Sequence, residues 1–172
     1  MNLEAIIDFS DAQQMRDWIV VNDGVMGGLS QSKAELTEEG LRFTGRVSLE
    51  NNGGFSSFRS PYARVDLSIY DQLEIRYRST GLPCALNLYR YSQFWRPNNK
   101  LPLALSEEWT TLRVNLSDIA EYRMGNKIGD KMTKEELKKI IRIGFITDSK
   151  YEGNFVFEVD YLKFIAADDS AR

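Results

Sequence analysis

Leu41-Arg42-Phe43-Thr44-Gly45-Arg46-Val47-Ser48-Leu49 places an apolar residue or a glycine at every second position. Successive side chains of a strand point to opposite faces. Leu41, Phe43, Val47 and Leu49 therefore share one face, and the arginines and hydroxyls share the other. That is the pattern of a strand with one buried side. Gly45 falls on the buried side, where a missing side chain marks a bulge or the close approach of a second backbone. The alternation returns at Leu73, Ile75 and Tyr77, at Leu112, Val114 and Leu116, and at Phe155, Phe157, Val159 and Tyr161. Further strands are expected over 3–9, 19–21, 32–36, 55–58, 86–91 and 143–147. Turn signals separate them: Glu39-Gly40, Asn52-Gly53-Gly54, Thr80-Gly81-Leu82-Pro83 and Glu152-Gly153.

Helical signals are few. Ser10 is placed to cap a short helix running to Trp18. Thr133-Lys134-Glu135-Glu136 reads as a capping box, with Leu137, Ile140 and Ile141 following at helical spacing. The charged run 134–139 is the solvated face of that helix. Many short strands with regular turns predict an all-β sandwich or barrel with one or two short helices. No repeat, linker or low-complexity segment divides the chain, so residues 1–172 are expected to form one domain.

A chain of 172 residues, 42% hydrophobic, is long enough to bury roughly 70% of the surface its unfolded form exposes. It folds without needing a disulfide or a metal. Cys84 is the sole cysteine, which rules out an internal disulfide and favours a reducing compartment. The formal net charge is −3, with Lys and Arg spread along the sequence. A nucleic-acid binder would show a clustered basic footprint, so none is expected here. The start, Met1-Asn2-Leu3-Glu4-Ala5-Ile6-Ile7-Asp8-Phe9, carries two acids where a signal peptide carries positive charge. It also lacks the arginines of a transit peptide, and no apolar run is long enough to cross a bilayer. The expectation is a bacterial-type cytoplasmic protein without membrane insertion.

The stretch from Trp18 to Ser30 holds Asn22, Asp23, Gly24, Val25, Met26, Gly27 and Gly28. Glycine lets another backbone come close where any side chain would clash. A loop that places Val25 and Met26 among such glycines is expected to fold back onto the body of the domain. Downstream, Phe43-Thr44-Gly45-Arg46-Val47-Ser48 leads into Asn52-Gly53-Gly54-Phe55 and then Arg59-Ser60. Near the end stand Arg142-Ile143-Gly144-Phe145-Ile146, Gly153-Asn154-Phe155 and Glu158-Val159-Asp160-Tyr161-Leu162. These three blocks, in this order, resemble those of the complex I intermediate-associated protein 30 family. Trp18, Gly24, Gly27, Gly28, Gly53, Gly54 and Phe55 are its structural signature. The resemblance implies a galactose-binding domain-like jelly-roll β-sandwich. Tyr122-Arg123-Met124-Gly125 is similar to an Arg-Gly position of that family, with Met124 intervening.

The absence of histidine removes Ser-His-Asp and Cys-His catalysis and histidine-based zinc sites. Cys84, between Pro83 and Ala85, has no partner to activate it and is expected to be a buried, inert thiol. Gly24, Gly27 and Gly28 follow a strand but do not match a phosphate loop or dinucleotide fingerprint. Asp and Glu are abundant, yet nothing marks a facing pair of the kind glycosidases use. No catalytic residue, metal site or cofactor is expected.

Asp23 sits in the most constrained loop. Its alternatives are a turn former bonded to local amides or a ligand contact, with Asn22 and Met26 beside it. Arg59 is expected to pair with Asp23, or with carbonyls near Gly27 and Gly28, and so to tie the first two blocks together. A functional extension has the same Arg59 offer spare donors to a carboxylate or a sugar hydroxyl. Asn87, Tyr89 and Tyr91 share one strand face, and Trp95 follows. Flat aromatics beside Asn and Arg suit a carbohydrate platform, although a sandwich core also uses large aromatics. Trp109 is assigned to the core.

Three functions compete. The resemblance implies a protein-binding module that assists assembly of respiratory-chain subunits without chemistry of its own. The aromatic strand implies a module for carbohydrate or another small ligand. An enzyme with two carboxylates is the third.

Overall fold

The computed structural model describes residues 4–167; Leu3, at the start of the first expected strand, lies outside them. Two antiparallel sheets stack face to face. One contains β1 (Glu4–Asp8), β3 (Gln31–Thr37), β4 (Gly40–Val47), β6 (Gln72–Gly81), β9 (Ser106–Asn115) and β13 (Gly153–Ile165), in the order β3-β4-β13-β6-β9. β4 pairs with the first half of β13 and β1 with the second. The other sheet contains β2 (Ile19–Asn22), β5 (Ser56–Arg59), β7 (Ala85–Tyr89), β8 (Asn98–Pro102), β10 (Glu121–Arg123), β11 (Asn126–Gly129) and β12 (Arg142–Thr147), in the order β11-β10-β8-β7-β12-β5-β2. The jelly-roll sandwich expected from the sequence is the observed architecture.

Alternation drives the stacking. Leu41, Phe43 and Val47 of β4, Leu73, Ile75 and Tyr77 of β6, and Leu86 and Leu88 of β7 are all buried. Burying each such side chain contributes roughly 1.5–3 kcal/mol. Aromatic rings bridge the layers: Phe145 lies 4.9 Å from Phe157, and Phe43 lies 6.1 Å from Phe58. Trp18 stacks on Phe58 at 5.2 Å and meets Phe9 edge-on at 5.2 Å, closing one end of the core. Gly45 has the close neighbour its position suggested. A Cβ there would sit 2.2 Å from the Gln31 carbonyl oxygen on β3.

Several expectations are corrected. β4 ends at Val47, and Leu49 is exposed because the chain leaves the sheet for a 3₁₀ turn at Glu50–Asn52. The register of β13 shifts between Val159 and Tyr161. The shift reverses the buried face, so Leu162 and Phe164 enter the core, while the Tyr161 hydroxyl donates to Glu74 at 2.8 Å. Trp109 is not core. It lies half-buried beneath the guanidinium groups of Arg76 and Arg78, 4.5 and 4.8 Å from its ring centre. The first helix, α1 (Ala12–Met15), is capped by Asp11 rather than Ser10 and stops short of Trp18. Leu116, expected in a strand, is buried within a 3₁₀ turn at Leu116–Asp118. The expected capping box is present: α2 (Lys134–Leu137) has Thr133 and Glu136 bonded reciprocally. No helix among the described residues is long and apolar enough to cross a membrane.

Candidate binding cleft

Alternation along the inner strands of the seven-stranded sheet sends their second set of side chains outward, away from the core. There they line a cleft of about 450 Å³. Register sets its floor. Tyr122 stands opposite Asn98, Asn98 opposite Tyr89, and Tyr89 opposite Arg142, forming one row across four strands. In the next row Lys100 stands opposite Asn87, Asn87 opposite Gly144, and Gly144 opposite Arg59. The strand backbones are engaged in ladders, so the floor presents side chains. Tyr62, the Tyr91–Phe94 loop and the Met124-Gly125 turn supply the walls. That turn joins β10 to β11 with both residues at positive φ, 48° and 80°, as a tight hairpin requires.

The polar floor is internally ordered. Asn98 Nδ2 donates to Asn87 Oδ1 at 2.9 Å, and Asn87 Nδ2 donates to the Tyr89 hydroxyl oxygen at 3.0 Å. Lys100 Nζ contacts both Asp148 oxygens, at 2.7 and 2.8 Å, and lies 5.3 Å over the Tyr122 ring. A hydrogen bond from Arg96 lowers the Tyr91 hydroxyl below its ordinary pKa, and the Arg96 guanidinium sits 4.1 Å over the ring. Among the described residues no group of three or more His, Cys, Asp or Glu gathers to hold a metal. Cys84 is buried and does not line the cleft, and burial pushes its thiol well above the ordinary range.

The expected Asp23–Arg59 ion pair does not form. Asp23 is fully buried and accepts hydrogen bonds from the Ser30 amide at 3.0 Å, the Ser30 hydroxyl, the Gly54 amide at 2.7 Å and the Phe55 amide at 3.2 Å. Burial acts to raise its pKa, but these donors outweigh it and hold the carboxyl below its ordinary value. Asp23 is thus the tie between the first two signature blocks. Two of the glycines make room for it: a Cβ on Gly28 would lie 2.4 Å from the Asp23 carboxyl carbon, and one on Gly53 would lie 2.7 Å from Asp23 Oδ2. Asn22 is also committed inward, its side-chain oxygen accepting from Ser32 and Ser56. Neither Asn22 nor Asp23 lines the cleft.

Met26 and Phe55 do line it. Gly24, by contrast, has no positive φ, and a Cβ placed on it would meet nothing within 4 Å; nothing in the structure explains why glycine stands there. The side chain of Val25 lies outside what the structure describes. Arg59 donates from Nε to the Ser57 hydroxyl at 2.9 Å, with its guanidinium 5.5 Å from the Tyr89 ring centre. Asn87, Tyr89, Tyr91 and Arg59 come together in the cleft, whereas Trp95 does not line it and its neighbour Phe94 does. Sequence reasoning missed Tyr62, Asn98, Lys100, Arg142 and Asp148. Only Arg142 carried a signal, through the third block.

Solved structures with the same fold include the family 11 carbohydrate-binding module of the cellulosomal cellulase Lic26A-Cel5E of Clostridium thermocellum. It is 14% identical, with a TM-score of 0.65 and 95% of each chain covered. The family 11 module from Clostridium thermocellum in complex with a β-1,3-1,4-mixed-linked tetrasaccharide is 15% identical, with a TM-score of 0.64, 95% of this chain and 96% of that one covered. The agarase AgWH50C is 13% identical at a TM-score of 0.57, and the match covers 94% of this chain and 24% of that one. No curated protein matches the sequence significantly. The model of the complex I intermediate-associated protein 30 (CIA30) family matches residues 7–159, a span that includes the Asp23 socket, and the chain belongs to that family.

Proposed function

We propose that residues 1–172 act as one non-enzymatic binding domain, and that it holds a sugar chain in the cleft. The observation that carries this reading is the composition of the floor and walls. Tyr62, Tyr89, Tyr91, Phe94 and Tyr122 offer flat rings, and Asn87 and Asn98 offer amides between them. A pyranose has apolar C–H faces and a rim of hydroxyls, which match rings and amides respectively. An extended peptide gains most by pairing along a free strand edge, and this cleft lies on a sheet face. The module of the same fold solved with a tetrasaccharide supports the reading. Binding without cleavage fits a lining with a single carboxylate, Asp148, among the described residues, since glycoside hydrolysis uses two.

A second reading follows the family. Met26, Phe94 and Met124 stand more than half exposed at the rim. Methionine and aromatic side chains of this kind suit a protein partner, which in the family context is an assembling complex I subunit. Isothermal titration against a panel of soluble oligosaccharides, with Tyr89→Ala and Tyr122→Ala as controls, separates the two. The sugar reading expects binding that both variants weaken while their unfolding midpoints stay near wild type. Absence of binding to every sugar, with the protein folded, overturns it.

A further inference from the structure

The chain as a whole carries a net charge of −3, yet its cleft is positive. Among the described residues four cations line it, Arg59, Arg96, Lys100 and Arg142, against the single carboxylate of Asp148. Lys100 takes that carboxylate. Arg59 and Arg142 have no carboxylate partner among the described residues, although Arg142 is only 8% exposed. A buried guanidinium without a counter-ion is costly. Arg142 donates from Nε to the Ser60 carbonyl at 2.7 Å and spreads over the Tyr62 ring at 3.7 Å. Burial draws it below its ordinary pKa, the Tyr62 and Tyr89 hydroxyls oppose this, and the charge of Arg59 adds to it. Two cations that raise each other's energy stand side by side on the floor.

Their placement is built by the sheet. Arg59 lies opposite Gly144, two residues along β12 from Arg142, so the two are diagonal neighbours on adjacent strands, a spacing of about 7–8 Å in such sheets. Gly144 leaves room for the Arg59 stem: a Cβ there would lie 3.2 Å from Arg59 Cγ. Tyr62 and Tyr89 cover the guanidinium faces, and the Nε atoms are the side-chain donors already used. Guanidinium edges bind carboxylates through paired N–H groups.

Resting on the sugar reading above, we propose that Arg59 and Arg142 form a carboxylate subsite, and that the ligand of this cleft is an acidic glycan bearing a uronic acid. The carboxylate sits between the two arginines and relieves their repulsion. The sugar ring that carries it lies against Tyr89, and Asn87 and Asn98 meet its hydroxyls.

The test titrates trigalacturonate, trimannuronate and a β-1,4-linked triglucuronate, each beside its methyl ester, into the full chain. Esterification removes the charge and keeps the sugar. At least one acid is expected to bind roughly tenfold or more tightly than its ester, the scale of one charge-assisted contact. Added salt should narrow that gap. Arg59→Gln and Arg142→Gln should each bring the acid-to-ester affinity ratio, measured within the same folded variant, from roughly tenfold to near one, and Arg59→Gln carries the test if Arg142→Gln unfolds. Esters that bind as tightly as acids overturn this inference and leave the sugar reading standing. No binding by any acid or ester overturns this inference, and the sugar reading falls with it only if the wider oligosaccharide panel also fails to bind. Binding of a tetraglutamate peptide in place of every uronate overturns the glycan assignment.

Discussion

Replacing Asp23 by asparagine takes one charge and one acceptor from a socket that offers only donors. Oδ2 accepts the Ser30 hydroxyl and the Gly54 and Phe55 amides, and Oδ1 accepts the Ser30 amide. An asparagine that keeps its oxygen toward the three donors must turn its NH₂ against the Ser30 N–H. Each retained bond loses its ionic character, roughly 0.5–1 kcal/mol apiece, and the stranded buried N–H costs about 1–3 kcal/mol. Relief of carboxylate burial works the other way, which sets the expected destabilisation at about 2–4 kcal/mol. With a urea dependence of roughly 1–3 kcal/mol per molar, the unfolding midpoint at neutral pH falls by about 1–2 M. The pH dependence gives a second readout. The Asp23 carboxyl is held below its ordinary 3.8 in the fold. Its stabilisation is therefore complete above that value and disappears as pH falls through the lower folded pKa. The wild-type protein and the Asp23→Asn variant should converge in stability well below pH 3.8. An unchanged midpoint at neutral pH, or a gap that survives in acid, would refute the socket as described.

Gly28→Ala forces a methyl into the Asp23 carboxyl group and should cost about 1–3 kcal/mol. In a double-mutant cycle with Asp23→Asn the two losses should sum to more than the double variant shows, since both disrupt the same socket. Thr133→Ala removes the cap that accepts the Glu136 amide at 3.1 Å. It should cost about 1 kcal/mol by chemical denaturation, with no change in ligand binding. Cys84 is buried with its thiol held protonated, so an aromatic disulfide reagent should react with it only under unfolding conditions; prompt native-state labelling would contradict this placement.

The sandwich was legible because its core strands are regular. Leu73-Ile75-Tyr77 and Leu41-Phe43-Val47 alternate cleanly, and both lie buried as the pattern requires. The strands that escaped notice, β8, β10 and β11, are short and polar, as in Asn98-Asn99-Lys100-Leu101-Pro102. The outward face of β8 and β10 lines the cleft through Asn98, Lys100 and Tyr122, so polar and aromatic side chains stand where an apolar alternation would have announced a strand. The bulge after Val159 was illegible for a different reason: one extra residue reverses every later face, and nothing local marks it. The site was half visible. Asn87, Tyr89 and Arg59 sit on or beside predicted strands and reach the cleft, but Tyr62, Asp148 and Asn98 arrive from connections and unforeseen strands. Arg59 meets neither Asp23 nor the carbonyls near Gly27 and Gly28, because the fold satisfies Asp23 with backbone amides and a hydroxyl and gives Arg59 the Ser57 hydroxyl.

The Asp23 socket also separates two kinds of inheritance. Among the described residues of the first two signature blocks, only Val21, Met26, Phe55 and Arg59 reach the cleft. Asp23, Gly28, Ser30, Gly53 and Gly54 serve the socket inside the fold instead. Shared signature thus certifies common architecture and stays nearly silent about cargo. On the sugar reading, what the cleft holds would be set at outward positions such as 87, 98 and 122, which stand apart from the Asp23 socket.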